Sequence, residues 1–409
     1  MNKPVHAPQT QFSVANGELL VGGIPLSRLA ERVGSTPFYA YDRCLIASRV
    51  AVLRAMLPHE IKLHYSIKAN PMAAVVQLMA GLVDGLDVAS SGELATALDT
   101  GFDPQHISFA GPGKSTLELR SAIAAGVCLN VESSGEIDRI AEQADALGIA
   151  PRVVLRVNPD FELKASGMRM GGGAKPFGID AERVPQALAQ LRALAVTPLG
   201  LHIFSGSQSL KAEAIVEAHA RSFELALRLA DECAFAPWTL NLGAGFGIPY
   251  FPGEVALDLE PVAAGLDEWL PRVRARLGDV RISLESGRYL VGEAGIYVAR
   301  VVERKESRGQ VFLVTDGGLH HHLAASGNFG QVIRKNYPAA IGNRMDSGER
   351  ETVSVVGPLC TPLDVLADRM DLPAAGPGDL VVVFQSGAYG LSASPLAFLG
   401  HPAPAEVLV

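Results

Sequence analysis

Cysteine is scarce: the 409 residues hold only Cys44, Cys128, Cys233 and Cys360, widely spaced and with no C-x-x-C pair. That spacing speaks against a zinc site or a disulfide framework and fits a reduced, cytoplasmic compartment. No apolar run is long enough to span a bilayer. The opening MNKPVHAPQTQF lacks the apolar centre of a signal peptide. No membrane partner is therefore expected. Dense basic runs are also missing, and the net charge of −8 argues against a nucleic-acid surface. Charged residues make up 19% and hydrophobic ones 48%, so a large core is expected rather than disorder. The length fits two domains.

What is present is a strand-then-helix rhythm. Apolar strand candidates fall at 62–67, 85–88, 107–110, 128–131, 152–157, 197–204, 239–242 and 281–284. Amphipathic stretches at 91–99, 116–125, 134–147, 181–194, 212–232 and 257–277 lie between them. Eight such units are the arithmetic of a (β/α)8 barrel. An open doubly wound sheet is the alternative, with fewer units and a different glycine fingerprint. The barrel is preferred because candidate chemistry follows several different strands. After Val291 the texture turns to strands with little helix, at 295–302, 311–315, 352–356 and 379–384. Residues 11–33 read as a hairpin, turned at Asn16-Gly17, and a helix. The expected division is a barrel over 37–289 and a β-sandwich or β-barrel-like domain from 1–36 and 290–409. The glycine-rich stretch 160–177 reads as a cover over the barrel mouth.

Lys68 sits in HYSIKAN, directly after an apolar strand, where barrels build their sites. A partly desolvated amine there suits Schiff-base chemistry; a solvent-seeking lysine is the bland alternative. After the seventh strand, NLGAGFGIP places Gly243, Gly245 and Gly247 where backbone N–H groups approach an anion. After the eighth, LESGRYLV offers Glu285 at the strand end and Arg288 as a bidentate phosphate partner. The sixth strand ends in GLHIFSGSQ. His202 and Phe204 share a face that would lie against a flat ring, and Ser207 would add a phosphate contact. A lysine, a carboxylate, a phosphate cradle and a ring-facing pair together specify pyridoxal 5'-phosphate (PLP).

These motifs, with FYAYD from Phe38, LDVASSGEL, GPLCTPLD and SGAYG, resemble the fold-type III PLP-dependent decarboxylases over nearly the whole chain. That is the family of diaminopimelate, ornithine and arginine decarboxylases. The resemblance implies α-decarboxylation of an amino acid or diamino acid by a barrel plus a β domain built from both chain ends. It implies that Lys68 is the Schiff-base lysine and that Asp87 lies beside it. Ser207, Gly243, Ala244, Gly245 and Arg288 would hold the cofactor phosphate, and Gly287 would also bind the cofactor. Glu285 would face the pyridine nitrogen, with His202 and Phe204 at the ring. Cys360 would be a proton donor supplied across a homodimer. Thr361, Asp364, Arg288 and Tyr389 would reach the substrate, and Tyr389 also the cofactor.

Three places depart from the diaminopimelate pattern. Phe204 stands where a second histidine is usual. Cys360-Thr361-Pro362 replaces C-E-S and lacks its acid. The stretch LHHHLAASGNFGQVIRKNYP lacks the arginine and tyrosine that grip a distal carboxylate. That stretch is similar to a branch linked to exosortase loci and to glutamyl groups on acyl carrier proteins. A carrier-bound aminoacyl substrate is therefore the alternative to a free small molecule. An amino-acid racemase and a non-catalytic PLP-binding protein are further alternatives; Glu285, where alanine racemase sets an arginine, speaks against the first. His320, His321 and His322 are adjacent, and neighbours on a strand point apart. They are expected as surface or cofactor-domain histidines, and no metal site is expected.

Overall fold

A computed structural model describes residues 4–162, 168–169 and 171–409. The cover expected at 160–177 rests in part on 163–167 and 170, which lie outside the described residues. The chain divides into two compact units. One comprises 50–248 and 257–287; the other comprises 1–49, 249–256 and 288–409.

The first unit is a closed parallel barrel. Its strands, in order, are Lys62–Ser66, Gly85–Val88, Ile107–Phe109, Cys128–Val131, Arg152–Asn158, Pro198–Ile203, Thr239–Asn241 and Arg281–Ser286. Each pairs with the next, and Leu284 beside Leu63 closes the ring. Helix starts follow from sequence. Ser90, Ser115 and Ser133 each cap a helix by accepting from the N–H three residues on, and a glutamate stands at each third position. These caps set helices 91–99, 116–125 and 134–147 directly after barrel strands two, three and four.

Alternation along the strands sorts the side chains. Leu63, Tyr65, Leu86, Phe109, Leu129, Leu155, Leu201, Leu240 and Leu284 are buried, each at most 1% exposed. Each such side chain stabilises by about 1.5–3 kcal/mol. The alternate set is polar: His64, Ser108, Asn130, Asn241 and Ser283 line one cavity inside the ring. Buried polar groups need partners. Asn130 Nδ2 donates to Ser108 Oγ at 2.6 Å, and His64 Nδ1 lies 3.2 Å from Asp87 Oδ1.

The second unit is built on an eight-stranded sheet. Its long strand, Gly295–Ser307, pairs antiparallel with Phe38–Tyr41, Leu380–Val383 and Gln310–Thr315. Ala405–Leu408 runs parallel to Phe38–Tyr41, so both chain ends complete one sheet. The N-terminal hairpin and the helix Leu26–Val33 supply Phe12, Leu19, Val21, Leu26 and Leu29 to a core with Phe38, Ile296, Val298 and Val382.

His320, His321 and His322 are neither on a strand nor at the surface. They occupy a turn and are at most 1% exposed. For His321 and His322 the reason is hydrogen bonding to distant segments, whereas both ring nitrogens of His320 are buried without a hydrogen-bond partner. His322 Nε2 donates to Ser386 Oγ at 2.9 Å, and its Nδ1 accepts from Ala325 N at 3.2 Å. His321 Nε2 donates to Pro402 O at 2.9 Å, and Tyr39 Oη donates to His321 O at 2.7 Å. Burial pushes His320 and His321 down to about 4 and His322 down to about 3. A histidine depressed in the folded state contributes stability above its unfolded value and loses it as pH falls toward the folded one. Thermal stability is therefore expected to fall between pH 6.5 and 4, at about 1.4 kcal/mol per pH unit for each histidine. The melting temperature at pH 7 and pH 5 measures this. In His322→Gln the pH slope is shallower; an equal slope contradicts the assignment.

Candidate active site

Lys68 lies in the short turn Ile67–Ala69 directly after the first barrel strand and is exposed, while Ser66, Ala69 and Asn70 around it are buried. The eighth strand runs beside the first, with Ser286 opposite Tyr65. At Gly287 a Cβ would stand 2.7 Å from Ala69 Cβ and 3.1 Å from Ser66 O. Only glycine permits that approach of the eighth strand's end to the lysine turn.

Glu285 has two close neighbours. His202 Nε2 is 3.5 Å from its Oε2, and Asn241 Nδ2 donates to the same oxygen at 3.3 Å. Burial pushes the carboxyl up, but His202, Lys68 and Arg156 outweigh it and hold the carboxyl well below the usual range. Glu285 is thus a fixed negative charge. The next layer fixes His202 in turn. Asn130 gives its amide to Ser108, so its Oδ1 faces His202 Nδ1 at 3.1 Å and His202 donates there. Arg156 is held by Glu132 at 2.8 Å, which also accepts from Gly111 N and Gly178 N. Removing one partner of such a buried pair costs about 3–5 kcal/mol.

The glycine loop and the loop after strand six are stitched together. Ser209 N donates to Gly245 O, and Gly247 N to Ser209 O, both at 2.9 Å. Gln208 bridges to both backbone groups of Ile248. Gly243 has φ +64°, and a Cβ there would stand 2.1 Å from Phe204 Cδ2. Phe204 therefore packs directly against Gly243, with its ring centroid 6.4 Å from that of His202. Ser207 and Gly243–Gly245 come together in this way, beside His202 and Phe204. Asp87 is buried, and its Oδ2 has no hydrogen-bond partner.

Arg288, Tyr389, Cys360, Thr361 and Asp364 belong to the second unit. Arg288 Nη1 donates to Tyr250 Oη at 3.0 Å, and the guanidinium lies 4.5 Å from the Tyr389 ring centroid. Its Nε is buried without a hydrogen-bond partner. Tyr389 has φ +53°, a left-handed backbone that costs a non-glycine residue about 1–3 kcal/mol. Cys360 is an exposed free thiol. Asp364 is buried and holds the Cys360 turn closed: Oδ1 accepts from Leu319 N at 2.6 Å and Oδ2 from Leu359 N at 2.8 Å.

Several working residues were not found by sequence reasoning. Asn130, Arg156, Glu132 and Tyr250 act through partners distant in the chain. The available signal was a polar residue inside an apolar strand, as Asn130 is in CLNV. The barrel residues fit PLP: a glycine cradle that a Cβ would fill, a fixed carboxylate, an exposed lysine and an orphaned polar atom, Asp87 Oδ2. Lys68 would hold the cofactor's carbonyl end and Glu285 its ring nitrogen, and the ring would supply an electron sink.

Among the described residues no helix is long and apolar enough to cross a membrane. Residues 44–292 match the family model of the pyridoxal-dependent decarboxylase pyridoxal binding domain. The L-glutamyl-[BtrI acyl-carrier protein] decarboxylase of Niallia circulans is 40% identical over 379 residues, covering 91% of this chain and 88% of that protein. The diaminopimelate decarboxylase of Archaeoglobus fulgidus is 32% identical, covering 97% and 93%. The crystal structure of the diaminopimelate decarboxylase of M. jannaschii superposes with a TM-score of 0.88 at 26% identity, covering 98% and 93%. A barrel with a fixed carboxylate facing its lysine turn, and matches of this length, have one explanation: the chain belongs to the fold-type III PLP-dependent decarboxylases and is a carboxy-lyase of that family.

Proposed function

We propose that the protein removes the α-carboxyl group of an aminoacyl group, such as glutamyl, carried on an acyl carrier protein. The observation that carries this reading is at the Cys360 turn. Thr361 and Pro362 leave no acid there, and Asp364 gives both oxygens to backbone N–H groups. No carboxylate of that turn is left to bind the ammonium of a free diamino acid. The relative from Niallia circulans, named for a carrier-bound glutamyl substrate, supports the same reading. A tethered substrate is positioned by its carrier and does not need its far end held.

In this proposal Lys68 binds the cofactor and Asp87 stands beside it. Ser207, Gly243, Ala244, Gly245 and Arg288 hold the phosphate, and Gly287 also binds the cofactor. Glu285 keeps the ring nitrogen protonated, with His202 orienting Glu285 and Phe204 covering the ring. Tyr389 and Thr361 contact the substrate, and Asp364 shapes the turn that Thr361 shares with Cys360. Cys360 delivers a proton to the α-carbon after carbon dioxide leaves, acting across a homodimer. We place the protein in the cytoplasm, where the exposed thiols of Cys44 and Cys360 stay reduced.

The substrate is tested by carbon dioxide release from PLP-loaded protein, with free amino acids and carrier-linked glutamate in parallel. Release from the carrier-linked substrate is expected. Turnover of free meso-diaminopimelate at ordinary enzyme rates, with none from the carrier, sinks the proposal. Cys360→Ala is expected to lower the rate by roughly 10²-fold with the cofactor still bound. An unchanged rate removes the thiol from the mechanism.

A further inference from the structure

The polar cavity inside the ring continues away from the active site, beyond Asn130 and Asn241, to groups that this chemistry does not use. Where the strands begin, a cavity of ≈ 60 Å³ opens among Arg152, Arg281, His106, Ser108, Cys128 and Trp238. Arg152, Cys128 and Arg281 are the first residues of their strands. Lys68 instead follows the last residue of its strand, so this is the opposite end of the barrel. The space holds several waters or one small oxyanion.

Its electrostatics are one-sided. Arg152 and Arg281 are permanent cations, and among the described residues neither forms an ion pair. Arg152 Nε is buried without a hydrogen-bond partner. The fields of both arginines converge on His106. Burial holds that imidazole below its ordinary value, Arg281, His64 and Arg152 push the same way, and Asp103 opposes them. The nearby acids are engaged or peripheral: Asp87 pairs with His64 at 3.2 Å, and half-exposed Asp103 lies 3.8 Å from His106. Burial pushes the Cys128 thiol up to about 12, so it is a neutral wall. Ser108 Oγ accepts from Asn130, which leaves its own proton to donate.

We propose that this cavity binds a small oxyanion, with Arg152 and Arg281 as its charged partners and Ser108 as a further donor. Two converging guanidinium groups recognise carboxylate, bicarbonate or phosphate alike through charge-assisted hydrogen bonds. Its charged partners, Arg152 and Arg281, are not among the residues assigned to the cofactor or substrate.

Trp238 reports on it directly, being 52% exposed at the cavity. The only other tryptophan, Trp269, stacks on Phe223 and is replaced by phenylalanine. The PLP-loaded Trp269→Phe protein is titrated at constant ionic strength with acetate, bicarbonate and inorganic phosphate in separate arms. A saturable change in Trp238 emission is expected, and the arm that saturates at lowest concentration names the source. Arg152→Met and Arg281→Met, singly and together, are each expected to raise the dissociation constant about tenfold or more. The single variants each keep one cation and suffice if the double variant does not fold. No saturable change in any arm, or the same constant in folded variants, overturns the proposal.

Discussion

Lys68→Ala protein loses the visible absorbance of lysine-bound PLP, and its carbon dioxide release falls by about 10⁴-fold or more, the scale seen when a covalent catalyst is removed. The geometry makes this a clean experiment. Lys68 is exposed, while the turn that carries it is held by other groups. Tyr65 Oη donates to Asn70 O at 2.9 Å, and Asn70 Oδ1 accepts from Met72 N at 3.1 Å. Gly287 packs against Ala69 and Ser66 from the eighth strand. Alanine leaves all of these in place, so the melting temperature of the cofactor-free protein should stay within a few degrees. Retention of the visible band contradicts the assignment of Lys68.

The second large effect is expected at Glu285. Glutamine keeps the size and one acceptor oxygen but removes the charge that His202, Lys68 and Arg156 maintain. Asn241 can still donate to the amide oxygen, whereas the carboxylate 3.5 Å from His202 Nε2 is lost. Glu285→Gln is expected to lower carbon dioxide release by about 10²–10³-fold, the magnitude of a lost preorganised electrostatic contact. The cofactor should remain bound, with its absorbance maximum displaced. A rate within a few fold of the parent means that a fixed charge at Glu285 is not what drives the reaction. Asn130→Leu probes the same chain one step back, since it frees His202 to turn away from Glu285. Its effect should be in the same direction and smaller.

The eight barrel strands were legible because each is a buried run bounded by turn residues, and buried parallel strands read that way. The helices at 91–99, 116–125 and 134–147 were legible as amphipathic stretches. Phe38–Tyr41 gave no such guidance. All four residues are buried, and the strand's partners, Gly295–Ser307 and Ala405–Leu408, lie hundreds of residues away. Val365–Pro373 and Ala405–Leu408 are strands with mixed or half-buried faces, which carry little local period. The site was legible at Lys68, Glu285 and the glycine loop because each stands at a strand end. Asn130 was not, because the meaning of a lone polar residue depends on which strands abut it. The histidines at 320–322 were misread as surface groups for a related reason. Their partners Ser386 and Pro402 come from the far end of the chain.

The central claim is the tethered substrate, and the mass of the carrier tests it most directly. Carrier protein loaded with glutamate is incubated with PLP-loaded enzyme, and its intact mass is followed against a Lys68→Ala control. The account predicts loss of one carbon dioxide from the loaded carrier in the parent reaction alone, while free glutamate and free diaminopimelate turn over far more slowly. An unchanged carrier mass, with free diaminopimelate consumed at ordinary rates, would contradict it.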